Sequence, residues 1–421
     1  MTRCRWFILT VLFLVTTNNY LDRIVFSVLI PVIRDDLHLS NIQYGYINTA
    51  FQAAYTIGFL FMGKLIDRFG TRIGYAVSII WWSLAAAMHG VARSALQLGF
   101  WRGMLGLGES GNFPSAIKAV AEWFPKKDRA LATGIFNAGT NVASMVGPPV
   151  FVWMAARYGW RACFFITAST GLVLLVLWWW AYRLPEFHRS VNPAELDYIR
   201  GDGPESLGAP KIGWAAALKY KETWGFALAK FLTDPVWWFY LYWLPPYLFD
   251  VRKFKMMEVG WALPVVYLMA DFGSVGGGWL SGFLIRRGWH HSTARKTAMG
   301  ICAGLMPIAA MSVLAPSPIL AVALVSVATA AHQGWSANLY TTTSDIFPKQ
   351  AVASVTGIGG ALGGLGGVLF SGVLPGYIVT YFGYTPVFLM MGCFHLTALL
   401  LVQWLLGRMQ PVGAQASIGT R

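Results

Sequence analysis

The chain has 421 residues, 56% of them hydrophobic and only 12% charged, where a soluble protein carries about 25% charged residues. Its formal net charge of +14 sits mostly in short segments between apolar runs, which is how a membrane protein is oriented and excludes a nucleic-acid binder. Cys4, Cys163, Cys302 and Cys393 lie far apart and give neither a disulfide framework nor metal-ligand spacing.

The first apolar run begins at Trp6, behind Arg3 and Arg5, where a signal peptide would begin. It continues through Asn18, Asn19 and Asp22 with no small-residue cleavage site, so it reads as a retained span over 6–33. At roughly 20 residues per crossing, further spans are predicted at 42–63, 74–92, 96–121, 129–154 and 161–183. The long polar stretch that follows holds Asn192-Pro193 and Gly201-Asp202-Gly203-Pro204, as an exposed linker does. Six more spans are predicted at 225–249, 259–285, 296–315, 318–342, 352–380 and 385–407. The expected fold is all-α, with twelve transmembrane helices in two pseudo-symmetric six-helix halves: residues 1–183, a cytoplasmic linker 184–224, residues 225–410, and a cytoplasmic tail 411–421. Basic residues crowd the segments on the N-terminal side, which places both termini in the cytoplasm; the Arg252-Lys253-Lys255 cluster runs against that rule locally.

An internal echo supports the two halves. Phe124-Pro125-Lys126 returns as Phe347-Pro348-Lys349, and Thr133-Gly134-Ile135 as Thr356-Gly357-Ile358, at one shared offset. Gly63–Gly70 has a counterpart in Gly282–Gly288. Parallel repeats of six spans are expected to bind solute near mid-membrane and to alternate access by rocking.

Two carboxylates, Asp22 and Glu109, and two arginines, Arg23 and Arg102, fall inside spans. A charge at membrane depth costs roughly 2.5–3.5 kcal/mol even on the lenient insertion scale, so it is rare without a task. Arg102 and Glu109 are two helical turns apart and share a face, about 10 Å from each other. As static packing, Asp22 would pair with Arg23 and Arg102 with Glu109.

GKLIDRFGTRIG (Gly63–Gly74) resembles the loop signature of the major facilitator superfamily, with Thr71 in place of an arginine. RGMLGLGESGNFPSAIKAVAEWFPKKDRALATGIFNAG (Arg102–Gly139) and DPVWWFYLYWLPPYL (Asp234–Leu248) resemble the hexuronate transporters of its anion:cation symporter family. The resemblance covers nearly all twelve spans. It implies a proton-coupled symporter of a sugar acid in the bacterial inner membrane, with protons as coupling ion and no other cofactor. The implied partners are a sugar acid and the lipid bilayer; the chain is expected to act as a monomer, to be no enzyme and to bind no nucleic acid.

On that reading Asp22 and Glu109 carry protons, and their protonation frees Arg23 and Arg102 to hold the substrate carboxylate, for which a guanidinium fork is suited. Tyr55, Asn137, Thr140 and Asn141 are candidates for the sugar hydroxyls; the alternative for the amides is interhelical hydrogen bonding. Trp237, Trp238 and Tyr242 can stack on a sugar ring or form an interface belt with Trp243. His332 and Gln333 are candidate hydroxyl ligands or gate residues. Asp271 is expected either to form a structural ion pair with Lys230 or to serve as a site, and Asp234 to cap its helix or bond across the halves. Asp67, Arg68, Arg72, Glu122 and Arg129 are expected to form a charge network that closes the inner face without touching substrate. Two alternatives stay open: an organophosphate:phosphate antiporter and a non-transporting membrane sensor.

Overall fold

In a computed structural model, which describes residues 3–201, 214–347 and 349–410, every regular element among those residues is helical. The side chains at 60, 64, 67, 126, 127, 129, 130, 309, 349, 350, 353 and 354 lie outside the described ones. The helices are α1 (Cys4–Leu37), α2 (Asn41–His89), α3 (Ala95–Glu109), α4 (Asn112–Trp123), α5 (Lys126–Tyr158), α6 (Trp160–Ala181), α7 (Pro193–Arg200), α8 (Trp214–Ala217), α9 (Lys221–Asp250) and α10 (Met256–Arg286). They continue as α11 (His291–Leu305), α12 (Ile308–Leu314), α13 (Pro318–Ile346), α14 (Lys349–Val368), α15 (Leu374–Phe382) and α16 (Tyr384–Leu406). A short 3₁₀ turn sits at Pro185–Phe187, and a π turn at Leu369–Val373 joins α14 to α15.

The twelve predicted spans map onto these helices. Among the described residues six segments, α6, α10, α11–α12, α13, α14–α15 and α16, are apolar and long enough to cross a membrane by length and composition alone. The other six spans lie on α1, α2, α3–α4, α5 and α9, among them the helices that carry the buried charges Asp22, Arg23, Arg102, Glu109 and Lys230.

The chain divides into two units, Met1–Leu207 with Lys255–Trp261 and Gly208–Phe254 with Ala262–Arg421. In the first, α2 packs on α3 and α6, and α1 on α5 and α6; in the second, α9 packs on α14 and α16, and α13 on α11 and α12.

The structure refines the helix pattern at three places. The expected 2–3 loop is a single-residue kink: α2 runs for 49 residues and only Gly70, at φ 79° and ψ 159°, leaves helical geometry. That φ is open to glycine and strained for other residues. Gly288, at φ 87°, occupies the matching place after α10. The fourth span is two helices, broken at Ser110-Gly111. Pro114 explains the break, because it has no N–H to donate to the Ser110 carbonyl and its ring crowds that oxygen. The Phe-Pro-Lys echo also has a structural counterpart, since α4 ends at Phe124 and α13 at Phe347, each extended and each donating its N–H four residues back at 2.9 Å.

Candidate functional site

A cluster of four buried charges forms inside the first unit. Asp22, Arg23, Arg102 and Glu109 are each at most 1% exposed. Asp22 and Arg23 sit mid-way along α1, Arg102 lies on α3, and Glu109 is the last residue of α3, at the break made by Pro114. Glycines on α3 bring it close against α2: a Cβ on Gly106 would come within 2.5 Å of the Phe51 carbonyl and 3.1 Å of the Tyr55 nitrogen. Gly103 faces the Ala50 carbonyl on the same stripe.

The pairing differs from the sequence expectation. Arg23 Nε donates to Glu109 Oε2 at 2.8 Å, an ion pair between α1 and α3. Arg102 does not hold Glu109; its Nη2 donates to the Arg23 backbone carbonyl at 2.7 Å. Two turns of helix separate Arg102 from Glu109, while α1 presents Arg23 directly opposite the end of α3. Asp22 Oδ2 accepts from Asn18 Nδ2 at 2.8 Å, one turn back on α1, so its partner is a neutral amide on its own helix. Glu109 Oε1 accepts no hydrogen bond among the described residues.

Aromatic rings line the two guanidinium groups. Arg23 Cζ lies 4.6 Å from the ring centres of Tyr20 and Tyr55 and 5.2 Å from Phe51. Arg102 Cζ lies 4.8 Å from Phe51 and 5.1 Å from Phe26. Each face contact is worth about 0.5–2 kcal/mol, more when desolvated. Tyr55 is half-buried and stacks on Phe51 at 5.8 Å. Tyr20, Phe51 and Asn18 were not singled out from the sequence; Tyr20 and Asn18, close to Arg23 and Asp22 on the same helix, carried a signal that the arginine and carboxylate overshadowed.

Not every candidate joins this group. On α5, Thr140 is buried and donates to the Asn137 carbonyl at 2.8 Å and to Asn141 Oδ1 at 3.2 Å, while Asn137 is exposed and Asn141 half-buried. The three are local neighbours on α5.

The second unit holds its own polar group. Lys230 Nζ binds Asp234 at 2.7 Å, one turn along α9, and donates to Tyr340 Oη of α13 at 2.7 Å. The expected Lys230–Asp271 pair is absent: Asp271 is half-buried with no hydrogen bond or ion pair among the described residues. An i,i+4 neighbour is already at hand for the ammonium, so Lys230 is satisfied without Asp271. Further along α9, Trp237 stacks on His332 with centroids 5.9 Å apart and planes at 11°. Trp238 stacks on the buried Tyr242 at 5.9 Å. The neighbouring Trp243 is fully buried and donates to the Ser371 carbonyl at 3.0 Å, so it is not part of an interface belt. His332 Nδ1 is 3.1 Å from His395 Nε2 of α16, a buried contact in which one ring donates to the other. His395 was missed from the sequence, since a lone histidine in an apolar run gives no pattern until its partner is known. Gln333, beside His332, is half-buried.

Of the expected inner charge network, the described side chains bond to neutral groups. Glu122 accepts from Thr71 Oγ1 at 2.8 Å and from the Tyr182 hydroxyl. Arg72 Nη2 donates to the Trp179 carbonyl at 2.7 Å and lies 4.4 Å over the Trp179 ring, so it completes the last turn of α6. Arg68 is exposed and touches the Phe69 ring. The side chains of Asp67 and Arg129 lie outside the described residues.

Comparison with known proteins follows the same line. The family model for the Major Facilitator Superfamily matches residues 12–371 and 291–418. The chain is 31% identical over 403 residues to the hexuronate transporter of Escherichia coli K12, covering 94% of this chain and 93% of that one. It is 32% identical over 280 residues to the galacturonate transporter of Dickeya chrysanthemi, covering 66% and 81%. In fold it is similar to the crystal structure of a D-xylose-proton symporter, with TM-score 0.73 at 16% identity over 96% of this chain and 98% of that one. An extended match to the family model, a near full-length relative above 30% identity and the all-helical fold agree: the chain belongs to the Major Facilitator Superfamily, a family of membrane transporters and not of enzymes.

Proposed function

We propose that this protein imports a sugar acid anion, of the hexuronate or hexonate class, together with protons by alternating access. The observation that carries the reading is the buried Arg23–Glu109 pair, with Arg102 bound to the same stretch of α1. Two buried guanidinium groups suit a carboxylate ligand, and the names borne by the similar hexuronate and galacturonate transporters support that substrate class.

The coupling follows from charge balance. Asp22, Glu109, Arg23 and Arg102 together are neutral, and burial resists any state that is not. A substrate carboxylate entering beside Arg23 adds one negative charge, and a proton on Glu109 removes one. Protonation also weakens the hold of Glu109 on Arg23 Nε, leaving that donor to the substrate. Asp22 serves as a second proton carrier, held by the neutral Asn18 amide. Moving an anion inward against a negative interior costs roughly 2.3 kcal/mol per charge per 100 mV. One proton cancels that cost, and a second turns the potential into a driving force. Tyr55, which shares its ring face with Arg23, is positioned to bond a sugar hydroxyl. Trp237 and His332 give the second unit a flat surface of the kind that stacks on sugars. Both termini are taken to be cytoplasmic, in a bacterial inner membrane, and the working unit to be a monomer.

The phosphate antiporter reading is weaker, because Lys230 is held by Asp234 and Tyr340. The deciding experiment uses purified protein in liposomes, with galacturonate and glucuronate uptake measured at acidic outside pH with and without a protonophore. Accumulation that the protonophore abolishes supports the proposal. No uptake of either acid, with exchange of a phosphate ester instead, sinks it.

A further inference from the structure

Away from the charge cluster, the end of α6 and the start of α1 enclose a cavity of about 800 Å³ lined by Arg3, Cys4, Phe7, Trp180, Arg183, His188, Arg189 and Ser190, with Ala181 in its wall. Three guanidinium groups line it and no carboxylate does. The nearest acids in sequence are engaged elsewhere, Glu186 with Arg200 at 3.2 Å and Glu195 with Arg5 at 3.4 Å. Among the described residues, no hydrogen bond or ion pair engages the side chains of Arg3, Arg183 or Arg189.

The loop that carries two of these arginines is anchored. Trp123 Nε1 donates to the Arg183 carbonyl at 3.1 Å, and Cys4 Sγ donates to the Ser190 carbonyl at 3.2 Å. His188 Nδ1 accepts from the Ser190 N–H at 3.3 Å while Nε2 lies 3.2 Å from the Ala181 carbonyl, which ties the loop to α6. The backbone that carries Arg183 and Arg189 is therefore anchored beside the cavity, with both side chains exposed.

Its level in the membrane is also defined. The apolar span of α6 ends at Ala181, so Arg183 stands just beyond the hydrocarbon, where phospholipid headgroups lie. Leading away from the cavity along α6 is an exposed apolar stripe of Val173, Val176 and Trp180, the last 72% exposed, with Phe7 packed edge-on to Trp180 at 6.1 Å. A cation cluster above an exposed apolar track matches a molecule with a phosphate head and acyl chains.

We propose that this cavity is a binding site for an anionic phospholipid, with Arg3, Arg183 and Arg189 around its phosphate and its chains on the Val173–Val176–Trp180 stripe. Basic pockets at helix ends are a recognised means of holding such headgroups. The site is separate from the residues assigned to transport, so it stands or falls independently of that reading.

The test is native mass spectrometry of the full chain in detergent, titrated with dioleoyl-phosphatidylglycerol and dioleoyl-phosphatidylcholine. Wild type is compared with Arg183→Gln/Arg189→Gln and with Arg286→Gln/Arg287→Gln, which removes the same charge from the exposed end of α10. Each basic residue near an anionic surface contributes on the order of a fivefold effect, so the first variant should lose roughly thirtyfold in preference for phosphatidylglycerol. The control pair should change it less than threefold. Unchanged melting without lipid confirms that both variants fold, as expected for exposed positions. Equal losses in both variants, or no headgroup preference in wild type, would overturn the site. Displacement of phosphatidylglycerol by millimolar inorganic phosphate would reassign the cavity to a soluble anion and overturn the lipid. If liposomes take up no sugar acid while phosphatidylglycerol is still retained, the transport proposal fails and this one holds.

Discussion

Replacing Glu109 with Gln separates the structural from the functional content of the buried pair. Gln keeps the shape and one acceptor oxygen for Arg23 Nε, which bonds Glu109 at 2.8 Å with both side chains at most 1% exposed. What is lost is the negative charge, so the cluster of two arginines and two carboxylates goes from neutral to +1 inside the protein. Breaking a buried pair by removing one partner costs about 3–5 kcal/mol. The retained hydrogen bond puts Glu109→Gln near the lower end, about 3 kcal/mol. For a unit of roughly 200 residues at about 2–4 °C per kcal/mol, the melting temperature in detergent should fall by about 6–12 °C. The extra positive charge also predicts a compensation: a sugar acid anion should raise the melting temperature of Glu109→Gln more than that of wild type, and bind it with little pH dependence. Proton-driven accumulation should be lost while counterflow exchange survives. Arg23→Met/Glu109→Leu, which removes both charges, should regain most of the stability and transport nothing. A Glu109→Gln protein that melts within 2 °C of wild type, shows no extra stabilisation by ligand and still accumulates substrate under a pH gradient would refute the reasoning at each step.

Asp22→Asn should be milder for stability, near 1 kcal/mol, because its carboxylate bonds the neutral Asn18 amide; a thermal melt beside Glu109→Gln tests the ranking. In the second unit, Asp234→Asn removes the charge that balances the Lys230 ammonium, bonded at 2.7 Å, and should cost about 3 kcal/mol, with Lys230→Met/Asp234→Leu costing less than either single change by the same melt. Gly366→Ala should destabilise by roughly 1–3 kcal/mol, since the new methyl would overlap the Phe231 carbonyl, whereas Gly360→Ala meets nothing within 4 Å and should be neutral or slightly stabilising. At the end of α1, beyond the span, the bond from Arg161 and then that from Trp160 hold the Asp36 carboxyl below its usual range. A depressed carboxylate contributes stability above its unfolded pKa and loses it as pH falls through the folded one. The small effect of Asp36→Asn on melting should therefore be present at pH 7 and gone in acid below the ordinary aspartate range.

The residues that form the site were easier to read from the sequence than their pairing. A carboxylate or arginine in an apolar run is visible because its burial cost is visible, which is why Asp22, Arg23, Arg102 and Glu109 could be named. Which cation faces which anion depends on how separate helices pack: Gly106 seats α3 against Phe51 of α2, and α3 ends at Glu109, just before the break at Pro114. Spacing along one helix put Arg102 with Glu109; packing between helices gave Glu109 to Arg23. Lys230 shows the converse, where the sequence looked to another helix for a partner and the bond was made one turn away. Histidines fared worst, because His332 and His395 have meaning only as a pair at 3.1 Å, and no local pattern in either helix announces the other.

The same contrast explains the inner face. The signature residues Arg68 and Arg72 suggested a web of charges, yet Thr71 stands where the signature has an arginine, and it is Thr71 that bonds Glu122. An arginine at that position would meet Glu122 as an ion pair; a threonine meets it as a neutral hydrogen bond, with Tyr182 as the second donor. A hydrogen bond to a charged group is worth about 1.5–3 kcal/mol against a desolvation cost that a carboxylate always bears, so the exchange keeps Glu122 satisfied while removing one positive charge. The consequence is specific. Thr71→Val leaves Glu122 with Tyr182 alone and should lower transport rate and stability together, whereas Thr71→Arg puts a long cation where only 3% of the threonine is exposed. If that arginine pairs with Glu122 at the cost of the Tyr182 bond, the two states of the carrier are rebalanced, and uptake rate should change with little effect on substrate affinity. A change in affinity larger than the change in rate would show that this corner communicates with the binding cluster, contrary to its distance from it in the bonding pattern.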